Sequence, residues 1–167
     1  MEFSLVLPLL VALMVGIMEL GMAFRDVLTT SSAVREGTRV LSALGNDPDA
    51  DCTALIAAID TLLLGGSIDQ LQRVEIYRAD SDGDQVPADT NTYTLTGTDY
   101  KDCDDWATAI GWPSVGRNVI AGGSPPLDIA GMRIIYRHDY VIGLPPFSGG
   151  FTIDQTTISR LEPEEFA

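Results

Sequence analysis

The hydrophobic residues at the start of the chain form a nearly unbroken run rather than a periodic pattern. Between Phe3 and Phe24 only Ser4 and Glu19 are clearly polar. At about 1.5 Å per residue, a helix of this stretch is about 33 Å long, close to the thickness of the bilayer hydrocarbon core. A helix in the core of a soluble domain would present a polar face, and this one does not. The pattern predicts an apolar, membrane-spanning helix segment over residues 1–24.

The helical pattern continues beyond this run with a different character. From residue 25 to 44 apolar positions recur at helical spacing, while charged residues fill much of the rest: Arg25, Asp26, Arg35, Glu36 and Arg39. Gly45-Asn46-Asp47-Pro48 then supplies a glycine cap and a proline stop. We therefore expect one helix over about 2–44, whose amphipathic continuation and stop at 25–48 lead into an extracellular globular head, residues 49–167.

Two residues inside the apolar run bear on how this helix packs. Pro8 removes one backbone hydrogen bond, so it is expected to kink or loosen the helix locally. Gly16 lies four positions after Ala12, so two small residues share one helical face and permit close approach of a second helix. Pro8 and Gly16 are therefore both candidates for assembly, although the spacing of Ala12 and Gly16 is common.

A second, shorter helix is predicted after residue 48. Asp49 or Asp51 can cap its start, and Gly65-Gly66 ends it. Its apolar stripe has helical spacing and comprises Leu55, Ile56, Ile59, Leu62 and Leu63.

The remainder of the head alternates between apolar and polar residues, which predicts strands. The alternation is visible at 73–77, and most clearly at 132–142 and 151–161. Residues 79–128 are rich in Asp, Thr, Gly and Pro, so we expect mostly loop there, with one short strand at 93–95. The expected fold class is α+β: a long helix, a short helix and a small antiparallel sheet.

The chain is acidic, with a formal net charge of −14, and its ten Lys and Arg are scattered. Because no basic patch gathers phosphates, nucleic acid is not an expected partner.

The two cysteines, Cys52 and Cys103, are expected to pair, since an even number of cysteines in an exported chain favours a disulfide. Such a bond would contribute about 3–4 kcal/mol on the chain-entropy model. Two unrelated buried thiols are the alternative.

Three carboxylates at alternate positions form the one candidate metal site. Asp80, Asp82 and Asp84 have a spacing that suits calcium, which prefers several oxygen ligands. The pattern departs from a calcium loop, because Gln85 replaces the usual glycine and Asn91 stands where the last acidic ligand is expected. An acidic turn is the alternative reading, and no other cofactor is expected.

The sequence contains no recognisable catalytic set. His138, the only histidine, lies on the apolar face of a predicted strand between Tyr136 and Tyr140, so we expect it to be packed and hydrogen-bonded. No nucleophile elbow or phosphate-binding loop is present. We therefore expect that the protein is not an enzyme.

Three runs in the first forty residues carry a family resemblance: Glu2-Phe3-Ser4-Leu5-Val6-Leu7-Pro8-Leu9-Leu10, Gly16-Ile17-Met18-Glu19-Leu20-Gly21 and Ala33-Val34-Arg35-Glu36-Gly37-Thr38-Arg39. They resemble TadE-like proteins, which are pilins or pseudopilins of the tight-adherence branch of the type IV pilus superfamily. The family usually carries a basic leader and a glycine cleavage site before the glutamate. The printed chain starts at Met1-Glu2, so the resemblance leaves processing open.

The resemblance implies a membrane precursor that is extracted into a cell-surface filament with its apolar helix at the centre. The implied partners are copies of itself or related pilins, and, before polymerisation, the inner membrane and the pilus assembly machinery. Glu2 would pair with the amino terminus of a neighbour; the alternative is a solvated residue at headgroup level. Glu19 would pair with Arg25 of a neighbour or face water. The rival function is a membrane-anchored extracellular binding module, calcium-dependent or not, that never polymerises.

Overall fold

The computed structural model describes residues 3–122, 125–141 and 148–163, and it has the expected α+β architecture. Two helices and five strands follow one another in the chain, in the order α1 Phe3–Leu44, α2 Ala50–Leu62, β1 Leu71–Ala79, β2 Gln85–Leu95, β3 Trp106–Ala109, β4 Ile129–Asp139 and β5 Gly150–Arg160. Short 3-10 turns lie at Ile68–Gln70, Cys103–Asp105 and Ser114–Gly116. The predicted long helix, short helix and antiparallel sheet are confirmed.

The strands form one sheet in the order β3-β2-β1-β4-β5, and every pairing is antiparallel. The central pair is β1 with β4, where Ile76 lies opposite Met132. In the next pair Met132 lies opposite Thr157 of β5.

The core lies between the helices and one face of this sheet. Val74 and Ile76 of β1 and Met132 and Ile134 of β4 are fully buried there, because alternate residues of a strand point to the same face. At Gly37, α1 lies close to both α2 and β4, since a Cβ there would lie 2.4 Å from the Met132 sulfur and 2.9 Å from the Ala58 Cβ.

The prediction that residues 79–128 are mostly loop is wrong for β2 and β3. β2 has 11 residues and is paired on both sides, with β1 and with β3. Its threonines made the segment look like a loop, but threonine is β-branched and packs well on a sheet. Tyr93, within the expected short strand, and Asn91 point into the core and are 6% and 1% exposed.

Helix α2 and the last strands agree with expectation except at their ends. Asp49 stands at the position before α2, but its side chain makes no capping hydrogen bond, and Asp51 lies inside the helix and is buried. The helix ends where the amide of Gly66 donates to the Leu62 carbonyl at 2.8 Å. β4 ends at Asp139; the predicted breaker at 143–146 lies outside the described residues.

Candidate functional site: the uncovered helix and its junction with the head

The first part of α1 has no protein packed around it. We call residues 6–18 the uncovered segment. Ten of its thirteen residues have large apolar side chains, of which Val15 is half-buried. The other nine are more than half exposed: Val6, Leu7, Leu9, Leu10, Val11, Leu13, Met14, Ile17 and Met18. Pro8 lies within α1, which continues through it, and Gly16 is half-buried. Such a surface requires lipid or other apolar helices around it.

Length and composition make α1 able to cross a membrane. Among the described residues it is the one helix that meets both conditions, over Val6–Leu44. Only 11% of its most apolar 18-residue window is buried, which distinguishes it from the core helix of a soluble protein.

The second part of α1 is covered by the head along one stripe. The buried positions recur every three or four residues, which is the spacing of one helical face: Glu19, Ala23, Asp26, Thr30, Ala33, Val34, Thr38, Leu41 and Ser42. The stripe begins at Glu19, six positions before the boundary at residue 25 that composition suggested. The head therefore overlaps the last part of the apolar run.

Glu19 lies at the first position of this buried stripe and is 0% exposed. It therefore does not face water in the subunit, which removes one of its two expected roles. Its pairing with a neighbour's Arg25 stays a prediction. Arg25 itself is on the outside, with a side chain that is 60% exposed, and its Nη2 lies 3.4 Å from Asp26 Oδ1 of the same chain.

One buried polar pair ties the head to the helix at this junction. Asp26 Oδ2 of α1 lies 2.7 Å from His138 Nδ1 of β4, and the two residues are 3% and 2% exposed. The His138 ring also packs against Tyr140 and Phe151, with centroid distances of 5.6 and 5.2 Å. His138 is packed and hydrogen-bonded, as the strand pattern predicted.

Cys52 and Cys103 are joined by a disulfide, which confirms their predicted pairing. The bond connects α2 to the short turn before β3, across a sequence separation of 51 residues. It therefore fastens the segment beyond β2 to the helical layer.

A second buried polar cluster lies in the head next to this bond. Arg117 Nη2 forms an ion pair with Asp51 Oδ1 at 2.6 Å, and Asn91 and Tyr93 donate to Asp51 Oδ2 at 2.8 and 2.5 Å. The Arg117 guanidinium also stacks on the Trp112 ring, 4.2 Å from its centroid. Burial and the Asp51 carboxylate hold the pKa of Tyr93 well above its usual range, so Tyr93 stays a donor. We call this group the Asp51 cluster.

The predicted calcium ligands form a tight turn between β1 and β2. Asp80 Oδ1 accepts from the amides of Asp82 and Asp84, both at 2.9 Å, so it is engaged in holding the turn. Within residues 3–122, 125–141 and 148–163, no group of three or more His, Cys, Asp and Glu side chains is arranged to hold a metal ion. Calcium binding stays a prediction.

Sequence reasoning placed Glu2 first among the assembly residues, and Glu2 lies outside the described residues. Sequence reasoning missed the buried role of Asp26, because it counted this residue with the polar side of α1. The spacing could have shown it, because Asp26 lies three residues after Ala23 and four before Thr30 on the buried stripe. Asn91 and Arg117 gave no comparable signal, since their partners are distant in sequence.

The family comparison bears on the same helix. The model of the TadE-like protein family matches residues 1–39. This range contains the uncovered segment and most of the α1 surface that the head covers. No curated protein and no solved structure matches the chain.

The match and the apolar helix together suggest a membrane-anchored, pilus-associated protein. The resemblance that the first forty residues predicted is confirmed by the match of the TadE-like family model over residues 1–39.

Proposed function

We propose that this protein is a pilin subunit that polymerises into a Tad-type filament at the cell surface. The uncovered segment is inserted in the membrane before assembly and packs among copies of itself or related pilins afterwards. The observation that carries the proposal is the exposed apolar surface of residues 6–18, together with the family match over the same helix.

Burial of apolar surface alone favours neither the membrane-inserted subunit nor the filament. Moving the uncovered segment from lipid into a bundle of helices exchanges one apolar surrounding for another, so the hydrophobic gain of about 25 cal/mol per Å² is largely cancelled. The net drive then comes from close helix packing, from Glu2 pairing and from contacts between heads. Small residues such as Ala12 and Gly16 matter here because they let helices approach.

The first experiment compares the full chain with a chain that lacks residues 1–18. This truncation removes the uncovered segment and keeps every buried residue of α1, so the head retains its packing. Electron microscopy and mass spectrometry of sheared surface material should show regular fibres for the full chain and none for the truncated one. Fibres of the same form from the truncated chain would refute the proposal.

The second experiment tests the role assigned to Glu2. Glu2→Ala should abolish or shorten filaments, because a register-setting charge pair is lost, while near-UV circular dichroism of the head stays unchanged. Glu162→Ala is the control, since it removes one exposed carboxylate from the head and should leave filament length as it was. Filaments of normal length from Glu2→Ala would exclude that role.

The same preparations distinguish the rival function. A membrane-anchored binding module would give monodisperse subunits from the full chain in the membrane fraction and no fibres in the sheared fraction. Mass spectrometry of the sheared fibres would also report the true amino terminus and the copy number relative to other pilins.

A further inference from the structure

The membrane end of the head carries large aliphatic side chains that the rest of the described chain covers only in part. Leu28 of α1, Leu63 and Leu64 after α2, and Val141 after β4 are 52%, 36%, 87% and 69% exposed. We call these four the underside residues. Other exposed aliphatics of the head, such as Ile110 and Val115, lie beyond β3 and are unrelated to this end.

The position of Leu64 along α1 follows from its neighbour Gly65. A Cβ on Gly65 would lie 2.7 Å from Thr29 Oγ1 and 3.6 Å from the Arg25 side chain. The end of α2 therefore lies against α1 at the level of Arg25 to Thr29, and Leu64 is held at that level.

Val141 lies at the same end or closer to the uncovered segment. β4 runs antiparallel to α1, because Met132 lies against Gly37 and His138 is bonded to Asp26. Val141 follows His138 by three residues, so it lies on the side of His138 that faces the beginning of α1.

The exposed surface of α1 locates the membrane boundary relative to these residues. From Val6 to Phe24 the outward side chains are apolar, Leu20 and Phe24 being 69% and 63% exposed, and Glu19 is buried. Arg25 is the first exposed charge in this described stretch. Long cationic side chains favour the headgroup level, so the hydrocarbon region ends near Arg25.

The head, however, covers α1 down to Glu19, six positions to the apolar side of Arg25. At the rise of an α-helix, these six residues correspond to about 9 Å. Interfacial helices enter a bilayer by a similar depth, about 5–10 Å. When the apolar run is fully in lipid, the underside of the head cannot remain clear of the membrane surface.

We propose that the head of the membrane-anchored subunit docks on the bilayer, with Leu64 and Val141 inserted at the boundary between headgroups and acyl chains. The occupant of this surface is a neutral phospholipid layer. Because Asp69 is exposed near the same end and the net charge is −14, anionic lipid is disfavoured despite the exposed Arg25, and the contact is apolar. This inference rests on membrane anchorage, and it holds whether or not the subunit polymerises.

The test measures the depth of single labelled positions in the full chain, reconstituted in phosphatidylcholine nanodiscs at one subunit per disc. Leu64→Cys and Val141→Cys are labelled with an environment-sensitive fluorophore, after mass spectrometry has verified the Cys52–Cys103 bond. Ser81→Cys is the matched control, because the β1–β2 turn is exposed and lies at the opposite end of the sheet, where Ala79 pairs with Ile129.

Lipids brominated on their acyl chains should quench the labels at 64 and 141 several-fold more than the label at 81. Aqueous iodide should show the reverse order, and raising the salt concentration should leave both patterns unchanged. Equal iodide quenching at all three positions would overturn the proposal. A protected label at 64 that brominated lipid does not quench, and that becomes exposed at lower protein-to-lipid ratio, would assign the surface to a second copy and would also overturn it.

Discussion

The uncovered segment and the head differ in what buries their apolar side chains. In the head, Ile76, Met132 and Ile134 are fully buried against the chain's own helices. In the uncovered segment, Leu9 and Met14 are 69% and 71% exposed, and their burial must come from outside the chain. The head is folded by packing within the chain, whereas the uncovered segment is buried only by lipid or by other helices. Substitutions in the head should therefore change the stability of the fold, whereas substitutions in the segment should change membrane retention or assembly.

The largest effect is expected in the Asp51 cluster. Arg117→Ala leaves the Asp51 carboxylate buried without its cation, which costs about 3–5 kcal/mol for a buried ion pair broken on one side. Urea unfolding of the detergent-solubilised full chain, followed by the fluorescence of the buried Trp106 and Trp112, measures this.

The control for this experiment is Arg35→Ala, which removes an exposed arginine and should change stability by no more than about 0.5 kcal/mol. Both variants should remain in the membrane fraction. If Arg117→Ala and Arg35→Ala unfold at the same urea concentration, the cluster does not stabilise the head.

The next largest effect is expected from the disulfide. Replacing Cys52 and Cys103 together by Ala should lower the free energy of unfolding by about 3–4 kcal/mol, because the unfolded chain regains the entropy of an open loop. Reduction of the unaltered chain, monitored by the same urea titration, should have a similar effect. Membrane retention should be unchanged, since the uncovered segment contains neither cysteine; release from the membrane would contradict the separation of the two regions.

How much of this could be predicted from sequence depends on whether the signal was local. The apolar run, the stop at Gly45 and the alternation of β4 and β5 are local patterns, and the structure has them at nearly the expected positions. β2 was underestimated because its threonines and Asp89 resemble a loop until pairing with β1 and β3 supplies hydrogen bonds on both sides. The extent of α1 was predicted, but not where the head begins to cover it.

The polar contacts of the site were the least predictable. Asp26 and His138 are 112 residues apart in sequence, and Asp51 meets Asn91 across 40 residues. Residue type suggests that such groups need partners when buried, but only the packing of α1 on the sheet decides which partner each one meets.

A smaller effect is expected at the Asp26–His138 contact. Asp26→Ala leaves His138 buried without its carboxylate, and the lost hydrogen bond should lower stability by about 1–3 kcal/mol. Asp26→Asn keeps a hydrogen-bonding side chain of the same size and should cost less. The urea midpoints of the two variants measure the difference. Equal midpoints for the Ala variant and the unaltered chain would mean that this contact does not secure the head to α1.

The finest comparison uses two glycines of the same helix. A Cβ at Gly37 would lie 2.9 Å from the Ala58 Cβ and 2.4 Å from the Met132 sulfur, whereas Gly21 has no atom within 4 Å among the described residues. Gly37→Ala should therefore cost about 1–3 kcal/mol through overpacking. Gly21→Ala should be neutral or stabilising by up to about 1 kcal/mol, because alanine favours the helix. Helix propensity is the same in both exchanges, so the difference between their urea midpoints isolates packing. If Gly37→Ala stabilises the fold as Gly21→Ala does, the second half of α1 is not held by close contact with α2 and β4, and the boundary between the two regions is wrongly drawn.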